Sequence, residues 1–117
     1  MKSFYLENEE ILQKVMSQVF AKSEHDIYTK TALEEWFYLI LDLKPDLLMI
    51  DADSLQTSIE GGWEQVFSAQ IPVLIIRSAS SNISESVLNH QLVCKILCKP
   101  LAPFEFLRTI ENIFVSQ

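Results

Sequence analysis

Residues 44–51, KPDLLMID, decide the fold, because four consecutive apolar side chains lead directly into an acidic one, Asp51. A continuous apolar strand is what a parallel sheet covered on both faces demands. The helical pattern before this stretch ends ahead of Pro45, which disfavours helix in the residue before it. The stretch therefore predicts a buried strand of a parallel sheet, with Asp51 at its carboxyl end.

Short apolar runs alternate with helical stripes on both sides of this strand. Before it, strands are predicted at 4–6 and 26–29, each followed by a helix; after it come a helix at 63–68, a strand at 73–76, a short helix near 87–88, a strand at 95–98 and a closing helix at 104–114. Five strands and five helices in this order predict an α/β fold. The expected form is a doubly wound parallel sheet of flavodoxin-like order 2-1-3-4-5, with helices on both faces.

Three of the helices carry apolar stripes that predict which side chains face the core. The stripes are Ile11, Leu12, Val15, Met16, Val19 and Phe20 in the first helix, Leu33, Trp36, Phe37, Ile40 and Leu41 in the second, and Phe104, Leu107, Ile110, Ile113 and Phe114 in the closing helix.

Length, charge and hydropathy limit the classes of protein to consider. A chain of 117 residues with 49% hydrophobic content is expected to form one domain, 1–117. Its net charge of −7 argues against direct binding to nucleic acid or anionic lipid. No apolar run approaches the length of a membrane span, and the N-terminal residues lack a signal-peptide core, so a cytoplasmic location without membrane insertion is expected.

Cys94 and Cys98 both fall in the apolar segment from Leu92 to Cys98, which is interpreted as strand. Four strand residues span about 13 Å, which is too far for a disulfide between them. We expect two buried thiols in a reducing compartment, acting as small core residues. His25 and His90, each isolated in a polar stretch, are expected at the surface.

Polar residues follow four of the predicted strands at the points where those strands end. Glu7 and Asn8 follow the first strand, Asp51 the third, Arg77 and Ser78 the fourth, and Lys99 the fifth. In a doubly wound sheet, these carboxyl ends form the edge where ligands bind. Carboxylates near a backbone carbonyl can hold Mg²⁺, and a lysine opposite can neutralise a phosphoryl group, so this edge is equipped for phosphoryl transfer.

Three stretches make the chain resemble the receiver domain of bacterial two-component response regulators over essentially its whole length. KSFYLENE, from Lys2 to Glu9, resembles the family's opening strand and acidic pair, and KPDLLMID resembles its phosphoacceptor strand. ILCKPL, from Ile96 to Leu101, resembles its Lys-Pro strand end. The resemblance implies that Asp51 accepts the phosphoryl group and that Lys99 contacts it, with a cis bond between Lys99 and Pro100.

The same resemblance implies a cofactor and partners. Mg²⁺ would be held by Glu7, Asn8, Asp51 and the backbone carbonyl of Asp53. A histidine kinase or phosphotransfer protein would supply the phosphoryl group, and the domain would be a phosphoacceptor rather than an enzyme. A downstream protein would bind the face built from the fourth helix, fifth strand and fifth helix, which could include Leu101, Phe104 and Arg108. Because the chain ends after its fifth helix, it would act on a partner in trans or be a fragment.

Three departures make this an atypical member of the pattern. Asn8 replaces the second acid, which should weaken Mg²⁺ binding. The Ser or Thr expected after the fourth strand is Arg77 by counting from Pro72, or Ser78 after a one-residue slip. Ile96 replaces an aromatic switch residue. These departures also favour an alternative, a degenerate receiver that binds proteins without phosphorylation and in which Arg77 pairs with Asp51.

Two other interpretations of Asp51 remain open from the residues alone. An aspartate after an apolar strand is often a helix N-cap. Asp51-Ala52-Asp53 also resembles the nucleophile motif of haloacid dehalogenase-like phosphatases, in which the second aspartate is a general acid. That family, however, places the motif on its first strand, and no further metal-binding acids follow Lys99 outside the closing helix.

Overall fold

A computed structural model describes residues 1–56 and 62–115, and its centre is one five-stranded parallel sheet. The strands follow the order β2-β1-β3-β4-β5, as predicted from the alternation of strands and helices. Their bounds are β1 Lys2–Leu6, β2 Asp26–Lys30, β3 Leu47–Asp51, β4 Val73–Arg77 and β5 Val93–Cys98. The fold class is confirmed as a flavodoxin-like α/β sheet.

Six helices are described, one more than the sequence predicted in the same segments. Their bounds are α1 Glu10–Phe20, α2 Phe37–Leu43, α3 Ala52–Gln56, α4 Gly62–Ser68, α5 Glu85–Leu88 and α6 Pro103–Val115. The additional helix, α3, begins directly after Asp51. The helix predicted at 63–68 corresponds to α4, which begins one residue earlier, at Gly62. The predicted fourth and fifth helices correspond to α5 and α6.

The core has two apolar layers, one on each face of the sheet, because successive strand side chains point to opposite faces. In β3, Leu48 and Ile50 belong to one layer, while Leu47 and Met49 belong to the other. The first layer includes side chains from α2, α3 and α4, and the second includes side chains from α1 and α6. This double cover explains why β3 is apolar throughout.

Four residues of the predicted helix stripes are exposed, which corrects the sequence expectation. They are Ile11 (76% exposed), Leu33 (83%), Leu41 (47%) and Phe104 (66%). Ile11 lies in the first turn of α1 and Phe104 in that of α6, while Leu33 precedes α2. The second layer instead includes Phe106, whose ring packs near those of Tyr5 and Phe20, with centroid distances of 6.2 and 6.4 Å.

The expectation of two buried thiols is wrong, because Cys94 and Cys98 are free and exposed. β5 is an edge strand of the sheet, and α5 beside it in sequence has only 4 residues, so little of this strand is covered. The pairing of β4 with β5 also shifts register between Val73 and Leu74, next to Cys94. Burial of part of the Cys94 side chain still raises the pKa of its thiol.

The two histidines are half-buried, so the expectation of simple surface positions is also wrong. His25 stacks on Phe114 with ring centroids 5.1 Å apart, and His90 stacks on Phe67 at 3.8 Å. Both rings cover apolar side chains that the sequence pattern did not pair with them. Across the described ranges, no helix has the length and apolar character needed to cross a bilayer.

Candidate functional site

The register of the sheet brings the predicted polar residues to one edge. Leu6 pairs with Ile50, so the next residues, Glu7 and Asp51, leave neighbouring strands side by side. On the far side, Arg77 pairs with Cys98, the residue before Lys99. The backbone N–H of Lys99 donates to the carbonyl of Arg77 at 2.7 Å, which fixes the end of β5 beside the end of β4. The Lys99-Pro100 bond is cis, as the sequence resemblance implied.

Three charged side chains from three different strand ends meet at this edge. The Nζ atom of Lys99 lies 3.1 Å from Oε1 of Glu7 and 3.1 Å from Oδ1 of Asp51. The carboxylates are almost fully buried, with side-chain exposures of 1% for Glu7 and 2% for Asp51, whereas Lys99 is 20% exposed. Two buried negative charges therefore share one positive charge, which leaves the cluster with a formal charge of −1.

Asp51 uses its two carboxylate oxygens differently. Oδ2 accepts a hydrogen bond from the backbone N–H of Ser54 at 3.0 Å and one from the Ser54 hydroxyl at 2.6 Å. Because Ser54 is the third residue of α3, the backbone bond is an N-cap interaction. Oδ1 instead faces Lys99. The N-cap interpretation of Asp51 thus holds for one oxygen, while the other is directed at the cation.

Glu7 is held by groups that the sequence did not single out. Its Oε1 accepts a hydrogen bond from the Tyr5 hydroxyl at 2.8 Å, and its Oε2 accepts one from the Glu9 backbone N–H at 3.3 Å. Burial and the neighbouring charge of Asp51 raise the pKa of Glu7, although Tyr5 and Lys99 partly oppose this effect. Burial and the charge of Glu7 also raise the pKa of Tyr5, which remains a hydrogen-bond donor.

Lys99 stays protonated in this cluster. Burial acts to lower its pKa, but the hydrogen bonds and charges of Asp51 and Glu7 outweigh burial and raise the pKa overall. A lysine that keeps its charge beside two carboxylates can still attract an incoming phosphoryl group.

The contact between Arg77 and Asp51 that the degenerate alternative includes is not seen among the described residues. Within the described residues, the ion pair of Asp51 is with Lys99, and Nη2 of Arg77 donates to the carbonyl of Ser81 at 3.3 Å. The Ser78 hydroxyl donates to Oδ2 of Asp53 at 2.9 Å. Neither Arg77 nor Ser78 contacts Asp51 in this conformation.

Asp53 fastens the loop after β4 to the start of α3. Its Oδ1 accepts a hydrogen bond from the Ser81 hydroxyl at 2.7 Å, in addition to the bond from Ser78 at Oδ2. Both carboxylate oxygens thus accept hydrogen bonds from serine hydroxyls. The backbone carbonyl is then the group of Asp53 that could bind a metal. A general-acid role for this side chain, as in the phosphatase alternative, would require both serines to release it.

Asn8 contributes no charge to the site, and its amide oxygen accepts a hydrogen bond from the backbone N–H of Ala32 at 2.7 Å. That bond joins the loop after β1 to the loop after β2. Asn8 still lines the cleft of about 180 Å³ above the charged cluster, together with Glu7, Glu9, Asp51, Asp53, Ser54 and Lys99. The expectation that Asn8 weakens metal binding stays a prediction.

The donor set fits Mg²⁺ in chemistry but is short of charged ligands. Throughout 1–56 and 62–115, no group of three His, Cys, Asp or Glu side chains is arranged to hold a metal ion. Two carboxylates, Glu7 and Asp51, are nevertheless buried side by side with one lysine, and Mg²⁺ commonly binds through one or two carboxylates while keeping several waters. The residues that would hold the ion are Glu7, Asp51 and the backbone carbonyl of Asp53.

The raised pKa of Glu7 predicts how stability depends on pH. A carboxyl whose pKa is higher in the folded than in the unfolded chain stabilises the fold at low pH and loses that contribution as pH rises through the folded pKa. Relative to a Glu7→Gln variant, the wild-type free energy of unfolding should therefore increase as pH falls from neutral towards the ordinary range of a glutamate pKa. Chemical denaturation of both proteins at a series of pH values between these limits measures the difference. A constant difference between them would show that Glu7 does not titrate as proposed.

Solved structures similar to this chain include several receiver domains. A signal receiver domain from Vibrio parahaemolyticus matches with a TM-score of 0.75 and 17% identity, over 95% of this chain and 87% of that one. A CheY-like response regulator receiver domain protein from Methanospirillum hungatei matches with a TM-score of 0.74 and 8% identity, over 99% and 98% of the two chains. The response regulator domain of Thermotoga maritima CheB has a TM-score of 0.73 and 15% identity, over 96% and 94%.

No protein-family model and no curated protein matches the chain. The structural matches have low sequence identity to this chain. They show that the chain has the receiver-domain fold. Because one fold hosts many functions, the activity has to be argued from the site.

Proposed function

We propose that this chain is a response-regulator receiver domain that accepts a phosphoryl group on Asp51 and relays the signal by protein contact. The observation that carries the proposal is the position of Lys99, whose Nζ lies 3.1 Å from both Glu7 and Asp51 at the carboxyl edge of a receiver-type sheet. The phosphoryl donor would be a histidine kinase or a phosphotransfer protein.

The chemistry requires a nucleophile, a cation and an open approach. Oδ1 of Asp51 would attack phosphorus, forming an O–P bond while the bond from phosphorus to the donor's leaving atom breaks and its electron pair leaves with that atom. Oδ2 is fixed to the start of α3, so the nucleophile's orientation is set before the donor arrives. Lys99 would then move from its carboxylate partners towards the phosphoryl oxygens. Bound Mg²⁺ would supply further neutralisation of those oxygens.

Direct labelling tests this proposal. Incubation with acetyl phosphate and Mg²⁺ should add one phosphoryl group, seen as a single mass increase by intact-mass spectrometry. Asp51→Asn, which keeps the size and an acceptor oxygen but removes the nucleophile, should show no increase, and chelation should also prevent it. We expect slow labelling that needs millimolar-scale Mg²⁺, because Asn8 leaves the site one carboxylate short. An unchanged wild-type mass with saturating donor, metal and cognate kinase would overturn the mechanism.

A degenerate, phosphorylation-independent receiver is the second candidate, and the arginine at position 77 favours it, although Arg77 does not pair with Asp51. The position counted from Pro72 holds a bulky cation rather than a small hydroxyl side chain, and its guanidinium bonds to the Ser81 carbonyl. This candidate predicts that the protein's mass stays unchanged after incubation with acetyl phosphate and Mg²⁺, while the domain still binds its partner.

The phosphatase alternative predicts steady turnover of a generic phosphomonoester, whereas a receiver takes up a phosphoryl group without such turnover. Asp51 lies on the third strand in chain order rather than the first, and the Asp53 carboxylate is engaged by Ser78 and Ser81. Both observations support the receiver over the phosphatase.

The output surface would be the face formed by α5, β5 and α6. Phe104 is 66% exposed and Ile96 is 40% exposed, and Arg108 is exposed nearby in sequence. Apolar side chains beside a cation suit contact with another protein. Because Ile96 replaces the expected aromatic, a rotamer change of that residue is not part of the proposed relay.

A further inference from the structure

The Ser54 hydroxyl lies between the two buried carboxylates of the site. Its Oγ is 2.6 Å from Oδ2 of Asp51 and 3.2 Å from Oε2 of Glu7, and it accepts a hydrogen bond from the Asn8 backbone N–H at 2.8 Å. Ser54 is only 3% exposed. Its side chain therefore links α3 to the loop after β1 through the acidic pair itself.

The short contact with Asp51 is the dominant one. A hydroxyl has one proton to donate, and 2.6 Å falls in the range of a charge-assisted O–H···O⁻ bond. Together with the backbone N–H of Ser54, this bond uses both acceptor positions of Oδ2. Oδ2 of Asp51 is thus already engaged by a group of the protein, and Oε2 of Glu7 lies within 3.2 Å of the same hydroxyl.

We propose that Ser54 is a positioning residue whose hydroxyl competes with a divalent cation for these oxygens and thereby sets the metal affinity of the site. The inference rests on the proposed function, because it assigns a regulator to the same carboxylates. Magnesium requires oxygen ligands at roughly 2 Å in near-octahedral geometry. A cation that binds Oδ2 of Asp51 must displace the hydroxyl, so the metal-free arrangement is stabilised at the expense of the metal-bound one.

A single substitution isolates the hydroxyl. Ser54→Ala removes Oγ but keeps the backbone N–H that caps α3 through Oδ2, so Asp51 should keep its orientation. Ser3→Ala is a matched control, because Ser3 is also fully buried in the described structure and its hydroxyl has no hydrogen-bond partner there. Both variants exchange a buried serine for alanine, but only one touches the acidic pair.

The first measurement is the Mg²⁺ dissociation constant, from titration followed by amide chemical shifts of the unphosphorylated proteins. Ser54→Ala should bind Mg²⁺ about tenfold more tightly than wild type, which is the factor expected for one lost hydrogen bond to a charged group. Ser3→Ala should bind as wild type does. Equal or weaker binding by Ser54→Ala would overturn the inference, and so would failure of both wild type and Ser54→Ala to bind Mg²⁺.

Thermal melting gives a second readout that a purely structural role would not produce. With chelator, Ser54→Ala should melt below wild type, because the acidic pair loses a hydrogen bond. The increase in Tm on adding Mg²⁺ should be larger for Ser54→Ala than for wild type. An equal increase in both proteins would contradict competition between the hydroxyl and the metal.

Labelling of Asp51 separates this inference from the proposed function. Tighter Mg²⁺ binding by Ser54→Ala without phosphoryl transfer to either protein would support the role of Ser54 and contradict the phosphoacceptor mechanism. Phosphorylation of both proteins, with the same Mg²⁺ affinity in each, would support the phosphoacceptor mechanism and contradict the role of Ser54.

Discussion

Replacing Lys99 with methionine should lower the free energy of unfolding by about 3–5 kcal/mol at neutral pH, because it leaves two buried carboxylates without their cation. Glu7 and Asp51 each lie 3.1 Å from Nζ of Lys99, and methionine keeps much of the side chain's volume without its charge. The loss should be smaller in mild acid, where Glu7 can take up a proton. Urea denaturation at two pH values measures both effects.

The same substitution should also abolish detectable phosphorylation of Asp51, since the cation opposite the nucleophile is gone. Lys95→Met is the matched control, because Lys95 lies exposed on the same strand, β5. It should change stability by no more than about 0.5 kcal/mol and leave labelling intact. Full stability in Lys99→Met would mean that the two carboxylates are neutralised in another way.

Replacing Phe106 with alanine should cost about 3–5 kcal/mol of folding free energy, a large share of what a domain of this size has. Phe106 is 2% exposed, and its ring packs near those of Tyr5 and Phe20. The cavity would open beneath β1, the strand that positions Glu7. Chemical denaturation followed by far-UV circular dichroism measures the loss.

Phe104→Ala is the control for that experiment, two residues earlier in the same helix. Phe104 is 66% exposed, so its truncation should change stability by only about 0.5 kcal/mol. If Phe104 belongs to the output surface, the same variant should weaken partner binding without unfolding the domain. A large loss of stability in Phe104→Ala, or none in Phe106→Ala, would contradict the assignment of Phe106 to the core and Phe104 to the surface.

Local apolar patterns predicted the strands because a buried strand consists of consecutive apolar residues. The run from Leu47 to Ile50 is apolar at every position, and both of its faces are covered in the structure. Helix α3 was missed because five residues are too few to show a helical period. Its first turn is capped by Asp51, for which the sequence left an N-cap interpretation open without predicting the helix that follows.

The exposed cysteines show a limit of the same reasoning. An apolar run predicts a strand, but it does not tell whether that strand lies inside the sheet or at its edge. Cys94 and Cys98 belong to β5, which the topology places at an edge beside a helix of 4 residues. Their exposure follows from chain packing rather than from any property of the run itself.

The sequence by itself determined the order of strands and helices, and it determined that Glu7, Asp51 and Lys99 each follow a strand. Since parallel strands present their carboxyl ends at one edge, that was enough to predict the cluster. Tertiary structure alone decided the contacts within it: Tyr5 on Glu7, Ser54 between Glu7 and Asp51, and Arg77 on Ser81 instead of Asp51. Those contacts depend on side-chain directions and on loops from separate parts of the chain, which no local pattern encodes.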